Sequence, residues 1–332
     1  MGGRLLPLNY AKITGTGSSA PEKILSNFDF EEIVDTSDEW IRSRTGIEKR
    51  HIAGPEIATS DMAYEAARMA IEAAGVDPLE IDGIFLATVT PDYFFPCTAC
   101  IIQGKLGAKN SFGFDLSAGC SGFVYGLQLA KGMIETGDAN HILVVGAETM
   151  SRIMDFEDRA TCVLFGDGAG AAVVSKADSP GIMSLYLGSD GDKWELLHMP
   201  AGGSRIPPTQ DSVAKRLHYI KMKGNDVFKE AVKAMESASL KAIKKADLNT
   251  AEIDIFIPHQ ANQRIMEAVR KRLDIPTEKV YVNVNKYGNT SSASVPIALD
   301  EAVRDGSIKS GDLVLFSVFG AGFTWGAGIV RF

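Results

Sequence analysis

The chain has 332 residues, 45% hydrophobic and 23% charged, an ordinary globular composition that excludes a disordered or fibrous protein. A formal net charge of −8 argues against a general nucleic-acid binder, because phosphate neutralisation needs an excess of Lys and Arg. No apolar run approaches the ~18 residues of a membrane helix, MGGRLLPLNYAK lacks the apolar core of a signal peptide, and four cysteines in so long a chain point to a reducing cytoplasm.

In chain order, the first strong element is the helix beginning SDMAYEAARMAIEAAG, whose apolar residues recur near a 3.6 period. It leads through Glu80-Ile81-Asp82 into a β-type run, GIFLATV. Pro96 then starts a second helix carrying Cys97 and Cys100. A structural zinc site needs four ligands and no second pair follows, so both cysteines read as packing residues. In DLSAGCSGFVYGLQLA (115–130) a strand-like run becomes helix-like at Cys120. A free cysteine is often a small buried hydrophobe. Here the neighbours are too small to bury it, and the positive end of a helix dipole favours the thiolate. GDANHILVVGAE follows, and then FGDGAGAA (165–172), which fits no nucleotide loop and reads as a tight turn between closing strands. The seam is SKADSPG, residues 175–181.

Beyond the seam the pattern returns. NDVFKEAVKAMESASLKAIKK leads to a second Glu-Ile-Asp and the run IFIPH, with Glu80 and Glu252 separated by 172 residues. GDLVLFSVFGAG repeats GDANHILVVGAE at an offset of 174. Two matches at nearly one offset indicate a duplication, with halves at 1–178 and 179–332. Each half reads as strand, helix, buried strand, helix and two closing strands, hence layered α/β sheets. A pseudo-twofold would bring Cys120, His259 at the end of the second Glu-Ile-Asp strand, and Asn289 before the last helix into one cleft. That set suits nucleophilic acyl chemistry: a thiolate attacks a carbonyl while a histidine and an amide meet the developing negative charge. The other four histidines (His51, His141, His198 and His218) have no such setting. FGAGFTWGAG (319–328) reads as the second closing turn, able to aim a backbone N–H at an oxyanion.

The motifs TSDEWIRSRTGIEKRHIA, SAGCSGF, DRATCVLFGDGAGAA, PHQANQRI, YGNTSSASVPIALDEA and GAGFTWGA resemble those of the β-ketoacyl-acyl carrier protein synthase III family, over about Tyr10 to Phe332. The resemblance implies a thiolase-like fold in a layered α-β-α-β-α arrangement. It also implies decarboxylative condensation of a short acyl-CoA with malonyl-acyl carrier protein, without a metal or other cofactor. On this likeness Cys120, His259 and Asn289 form the catalytic set, and the N–H groups of Cys120 and Ala321 form the oxyanion hole. Many relatives carry a run of glycines where this chain has Gly320-Ala321-Gly322. Trp40 and Arg159 match the pair that sandwiches the CoA adenine, Arg44 a phosphate contact, and Thr36 and Asn262 polar contacts. Phe165, Phe319 and Met150 match the acyl pocket, and Phe95 the residue that reaches across a homodimer to floor the partner's pocket. Lys229, Arg264, Lys271 and Arg272 match the patch that receives the acidic carrier protein.

Three rival readings have distinct signatures. A cysteine hydrolase would release free acid without malonyl-dependent product, and its usual signature around the cysteine is absent. A non-turnover scaffold would leave Cys120 unreactive. A secondary-metabolism condensing enzyme would share the chemistry and differ in primer.

Overall fold

The computed structural model describes residues 9–332, so the N-terminal reading falls largely outside the described residues. A first sheet contains β1 (Tyr10–Ser19), β2 (Gly83–Ala87), β3 (Phe112–Leu116), β4 (His141–Thr149) and β5 (Asp167–Ala177), in the order β1-β5-β4-β2-β3. β2 pairs in parallel with β3 and β4, and all five of its residues are buried. Burial on both faces explains why GIFLA is apolar throughout instead of alternating.

α1 (Asp38–Thr45) joins a smaller core with Phe165 and Met266, while α2 (Thr59–Ala74), α3 (Thr98–Leu106) and α4 (Gly122–Thr136) cover this sheet. The apolar stripe of α2, from Met62 to Ile71, packs with α3 on one face. A Cβ on Gly15 or Gly17 of β1 would come within 2.3 Å of an α2 carbonyl, so glycine permits the close approach. On the opposite face, Phe123, Val124, Leu127 and Ala130 of α4 enter the central core.

The second sheet contains β6 (Ile182–Ser189), β7 (Ile255–Pro258), β8 (Leu313–Gly320) and β9 (Thr324–Arg331), in the order β7-β8-β9-β6. Its helices are α5 (Gly224–Lys245), α6 (Gln263–Arg272) and α7 (Ser294–Arg304). α5 and α6 cover the outer face, while α7 joins α4 in the core between the sheets. The layers run α, β, α, β, α, as expected. The order β6-β9-β8-β7 repeats β1-β5-β4-β2, and the fifth place shrinks to one bridge between Phe256 and Val280.

Two local readings need correction. FGDGAGAA is not a turn: Asp167 onward is β5 itself, joined to β4 by a long connection. Gly170 is there because α7 lies against the strand, where a Cβ would meet Ile297 N at 2.6 Å. FGAGFTWGAG does contain a tight turn, at 321–323 between β8 and β9. Pro96 does not open α3, whose N-cap is Cys97. Cys97 packs on the outer core, but Cys100 is exposed with its Sγ 3.2 Å from that of Cys97, so packing accounts for only one of them.

Candidate active site

The chain reverses from β3 into a 3₁₀ turn, Gly119–Ser121, that runs directly into α4 and places Cys120 at the helix start. Gly119 has φ +52°, and its missing Cβ leaves room for Ala321 N, 2.8 Å from where that atom would lie. Gly320 passes equally close, where a Cβ would sit 2.5 Å from Cys120 N. Thr324 Oγ1 donates to Ala118 O at 2.7 Å and ties the turn after β8 to this loop. The backbones of Cys120 and Ala321 are thus neighbours, one following a strand of the first sheet and the other a strand of the second.

His259 follows β7, its N–H donating to Ser317 O at 2.8 Å. Its Nδ1 lies 2.6 Å from Ser294 Oγ, which also receives the Gln260 N–H at 3.4 Å. Nδ1 is the hydroxyl's only hydrogen-bond acceptor among the described residues, so we assign its proton to that bond, which places the ring proton on Nε2. Asn289 is held by its backbone to Leu164 O and Gly166 N, and by Ser291 N–H donating to its Oδ1 at 2.9 Å. Fixing Oδ1 leaves the amide Nδ2–H₂ as the free donor.

Cys120, His259 and Asn289 line one cleft of about 620 Å³, together with Trp40, Arg44, Phe165, Lys229, Asn262, Arg264 and Phe319. Phe228, Asn225 and Met235 also line it and were not singled out by sequence. The thiol is not left accessible by its small neighbours, for Cys120 is only 9% exposed. Nor is it acidified by its helix start: burial pushes it up to about 12, the Ser291 hydroxyl acts to lower it, and Glu148 raises it further. Burial also lowers His259 to about 3, so the imidazole is neutral.

The remaining expected residues divide into groups. Arg159 stacks on the Trp40 ring at 5.1 Å and donates to Asp35 O at 2.6 Å. An intervening adenine needs about 7 Å, two stacking spacings of ~3.5 Å, so this pair must part to receive one. Thr36 has a buried hydroxyl with no hydrogen-bond partner among the described residues. The Asn262 side chain accepts from Arg264 N at 2.8 Å, capping α6, and donates to Arg44 O at 3.1 Å. Met150 packs with Phe165 behind the cleft without lining it. Phe95 lies outside the cleft, 86% exposed beside exposed Tyr93 and Phe94. Lys229 and Arg264 stand at the cleft, and Arg264 covers Phe228 at 5.8 Å. Lys271 and Arg272 lie farther along α6, ion-paired with Glu267 and Glu236.

A family model described as 3-oxoacyl-[acyl-carrier-protein (ACP)] synthase III matches residues 114–191, and its C-terminal counterpart matches 243–332. A beta-ketoacyl-[acyl-carrier-protein] synthase III of Caldanaerobacter subterraneus subsp. tengcongensis is 56% identical over 97% of each chain. The crystal structure of 3-oxoacyl-[acyl-carrier-protein] synthase III from Aquifex aeolicus is 47% identical, with a TM-score of 0.90 over 97% of this chain and 100% of that one. A priming β-ketosynthase of the R1128 polyketide biosynthetic pathway is 38% identical, with a TM-score of 0.92 over 100% of this chain and 98% of that one.

Proposed function

The chain belongs to the 3-oxoacyl-[acyl-carrier-protein] synthase III family, and on that premise we propose how its residues perform the family's condensation. The protein is a condensing acyltransferase of fatty acid synthesis, joining an acyl-CoA primer to malonyl-acyl carrier protein with loss of CO₂. In our reading the primer is short, acetyl or a close relative. Cys120 attacks its thioester, and the N–H groups of Cys120 and Ala321 receive the oxyanion as CoA leaves. Malonyl-acyl carrier protein then enters and loses CO₂. His259 Nε2–H and the Asn289 amide donate to the enolate oxygen, and its carbon attacks the acyl-Cys120 carbonyl. The cycle needs no metal, because the thioester is already activated and two fixed donors meet the developing charge.

Trp40, Arg159, Arg44, Thr36 and Asn262 take the CoA, with Arg159 swinging off Trp40. Phe165, Phe319 and Met150 shape the acyl end. Phe95 reaches a partner subunit in a homodimer, which accounts for so exposed an aromatic cluster. Lys229 and Arg264 lead the carrier-protein contact, with Lys271 and Arg272 beyond. The setting is cytoplasmic; among the described residues no helix is long and apolar enough to cross a membrane. The two halves, 1–178 and 179–332, descend from one duplicated unit.

One observation carries this reading: a thiol, an imidazole whose Nδ1 meets a serine hydroxyl, and an amide whose Oδ1 is already bonded, from separate loops, line a single cleft. The test is intact-protein mass after acetyl-CoA, then a primer screen with malonyl-acyl carrier protein. Wild type gains an acetyl mass and makes 3-oxoacyl product. A Cys120→Ser protein that gains a stable acyl mass would falsify the assignment. The similarity to the polyketide priming enzyme gives the secondary-metabolism reading its footing, and the primer screen separates the two by chain length.

A further inference from the structure

Glu148, next to the end of β4, is fully buried and takes no part in the steps above. Its Oε2 accepts from Thr88 Oγ1 (3.2 Å), Val89 N (3.0 Å) and Thr90 Oγ1 (2.6 Å) in the loop after β2. Its Oε1 accepts from Ser291 Oγ (3.0 Å) and shares the one Ser292 hydroxyl proton (2.9 Å) with Ala87 O (2.8 Å), both serines lying in the loop that carries Asn289. None of these partners is a cation, and burial raises the carboxyl in spite of them. The titratable group facing it is Cys120, at the start of α4. Asp167 stands opposite neighbouring Thr149 on β5 but turns its oxygens to Ala53 and Ser151. The Ser291–Ala293 turn packs against the Gly119–Ser121 turn that carries Cys120, and the Ser291 hydroxyl that bonds to Glu148 also acts on the Cys120 thiol.

A buried thiol has to lose its proton before it attacks. His259 is a poor acceptor, being held near 3 with only Nδ1 unprotonated and that atom engaged by Ser294. Release to solvent would leave a thiolate and a carboxylate together in a buried site, a costly like-charge pair. Transfer from Cys120 to Glu148 keeps a single negative charge there throughout.

We propose that Glu148, acting through Ser291, takes the Cys120 proton on acylation and stores it until the thiolate is expelled. This rests on the reading of Cys120 as nucleophile. As the S–H bond breaks, the proton passes to Ser291 Oγ, whose own proton passes to Glu148 Oε1. The sulfur bonds the acyl carbon, and CoA departs as a thiolate that takes a proton from water. After condensation, the enolate carbon bonds the acyl carbon and the C–S bond to Cys120 breaks. The protonated Glu148 then returns its proton by the same route. The cycle consumes one solvent proton, the one that CoA carries away.

The first measurement is the acetyl mass on wild-type Cys120; its absence would defeat the nucleophile assignment, not this proposal alone. With acetylation established, an infrared difference spectrum of acetylated minus free wild type is expected to show a new protonated-carboxyl band. In Glu148→Gln and Ser291→Ala, acetylation near neutral pH should slow on the order of 10²-fold, the ordinary size of a general-base contribution, and recover as hydroxide rises. Ser291→Ala keeps the carboxylate and removes only the relay, so it serves if the Glu148 variant does not fold, and the spectrum needs no variant. Absence of the band, wild-type rates in a folded variant, or an equal slowing at every pH would overturn the proposal.

Discussion

Removing the Ser294 hydroxyl should separate the two chemical steps. Its bond to His259 Nδ1, 2.6 Å long and buried, sets which ring nitrogen carries the proton. In Ser294→Ala, the buried Nδ1 loses its donor, at a cost of about 1–3 kcal/mol for a buried group left unpaired. That cost falls on the tautomer that donates from Nε2. The competing tautomer turns a bare lone pair toward the enolate oxygen and gives no stabilisation. At 1.4 kcal/mol per factor of ten, decarboxylation should slow by about 5- to 150-fold. Acylation should hold near its wild-type rate, because the oxyanion of that step is met by backbone N–H groups. Single-turnover acetylation followed by intact mass, with CO₂ release from malonyl-acyl carrier protein, reads both steps. Ser294→Thr retains a hydroxyl and should recover most of the loss. Equal slowing of both steps, or decarboxylation at the wild-type rate, would refute the tautomer assignment.

Trp40→Ala should raise the KM for acetyl-CoA much more than that for malonyl-acyl carrier protein; steady-state kinetics with each substrate varied would show parallel increases if Trp40 only packs. Arg264→Glu should raise the KM for the carrier-protein substrate steeply while Cys120 acylation by acetyl-CoA is spared. The wild-type carrier-protein KM should also climb with salt, since exposed charges are screened over ~8–10 Å near physiological ionic strength; a KM indifferent to both changes would leave α6 a solvated face. His259 should make the protein acid-sensitive. Its folded value of about 3 lies below the unfolded ~6.5, so the unfolded chain binds a proton first. The stability it confers is present above pH ~6.5 and lost as pH falls toward about 3, by up to ~1.4 kcal/mol per unit. Urea melts of His259→Gln should show a shallower decline over that window than wild type, and matching declines would contradict the linkage.

The sequence exposed the features that the chain carries locally and twice. Glu80-Ile81-Asp82 and Glu252-Ile253-Asp254 lead into β2 and β7, and that correspondence was enough to expect Cys120, His259 and Asn289 in one cleft. Features set by distant neighbours were hidden. Gly168 and Gly170 look like turn residues, yet they lie within a strand because α7, more than 120 residues later, presses on it. The helix start at Cys120 is visible locally, but the burial and the Glu148 carboxyl that outweigh its dipole come from other elements. The serines of NTSSAS were in view without roles, since nothing nearby indicates that Ser294 meets His259 and Ser291 meets Glu148.

The ladders of the two sheets share one register, and that register brings out the asymmetry of the site. Gly83 pairs with Ile142 and Ile255 with Val314, so both strands shift by 172 residues. The 3₁₀ turns Gly119–Ser121 and Ser291–Ala293 obey the same shift. Cys120, His259 and Gly320 therefore correspond to Ser292, Ala87 and Glu148. In the mirror position the Ser292 hydroxyl lies 2.8 Å from Ala87 O and 2.9 Å from Glu148, so that corner is closed by its own hydrogen bonds. In the working position the carboxylate is replaced by a glycine whose Cβ would press on Cys120 N, and the alanine by a histidine that lines the cleft. One corner is thus open to the cleft, while the other holds the buried Glu148 carboxyl that acts on the Cys120 thiol.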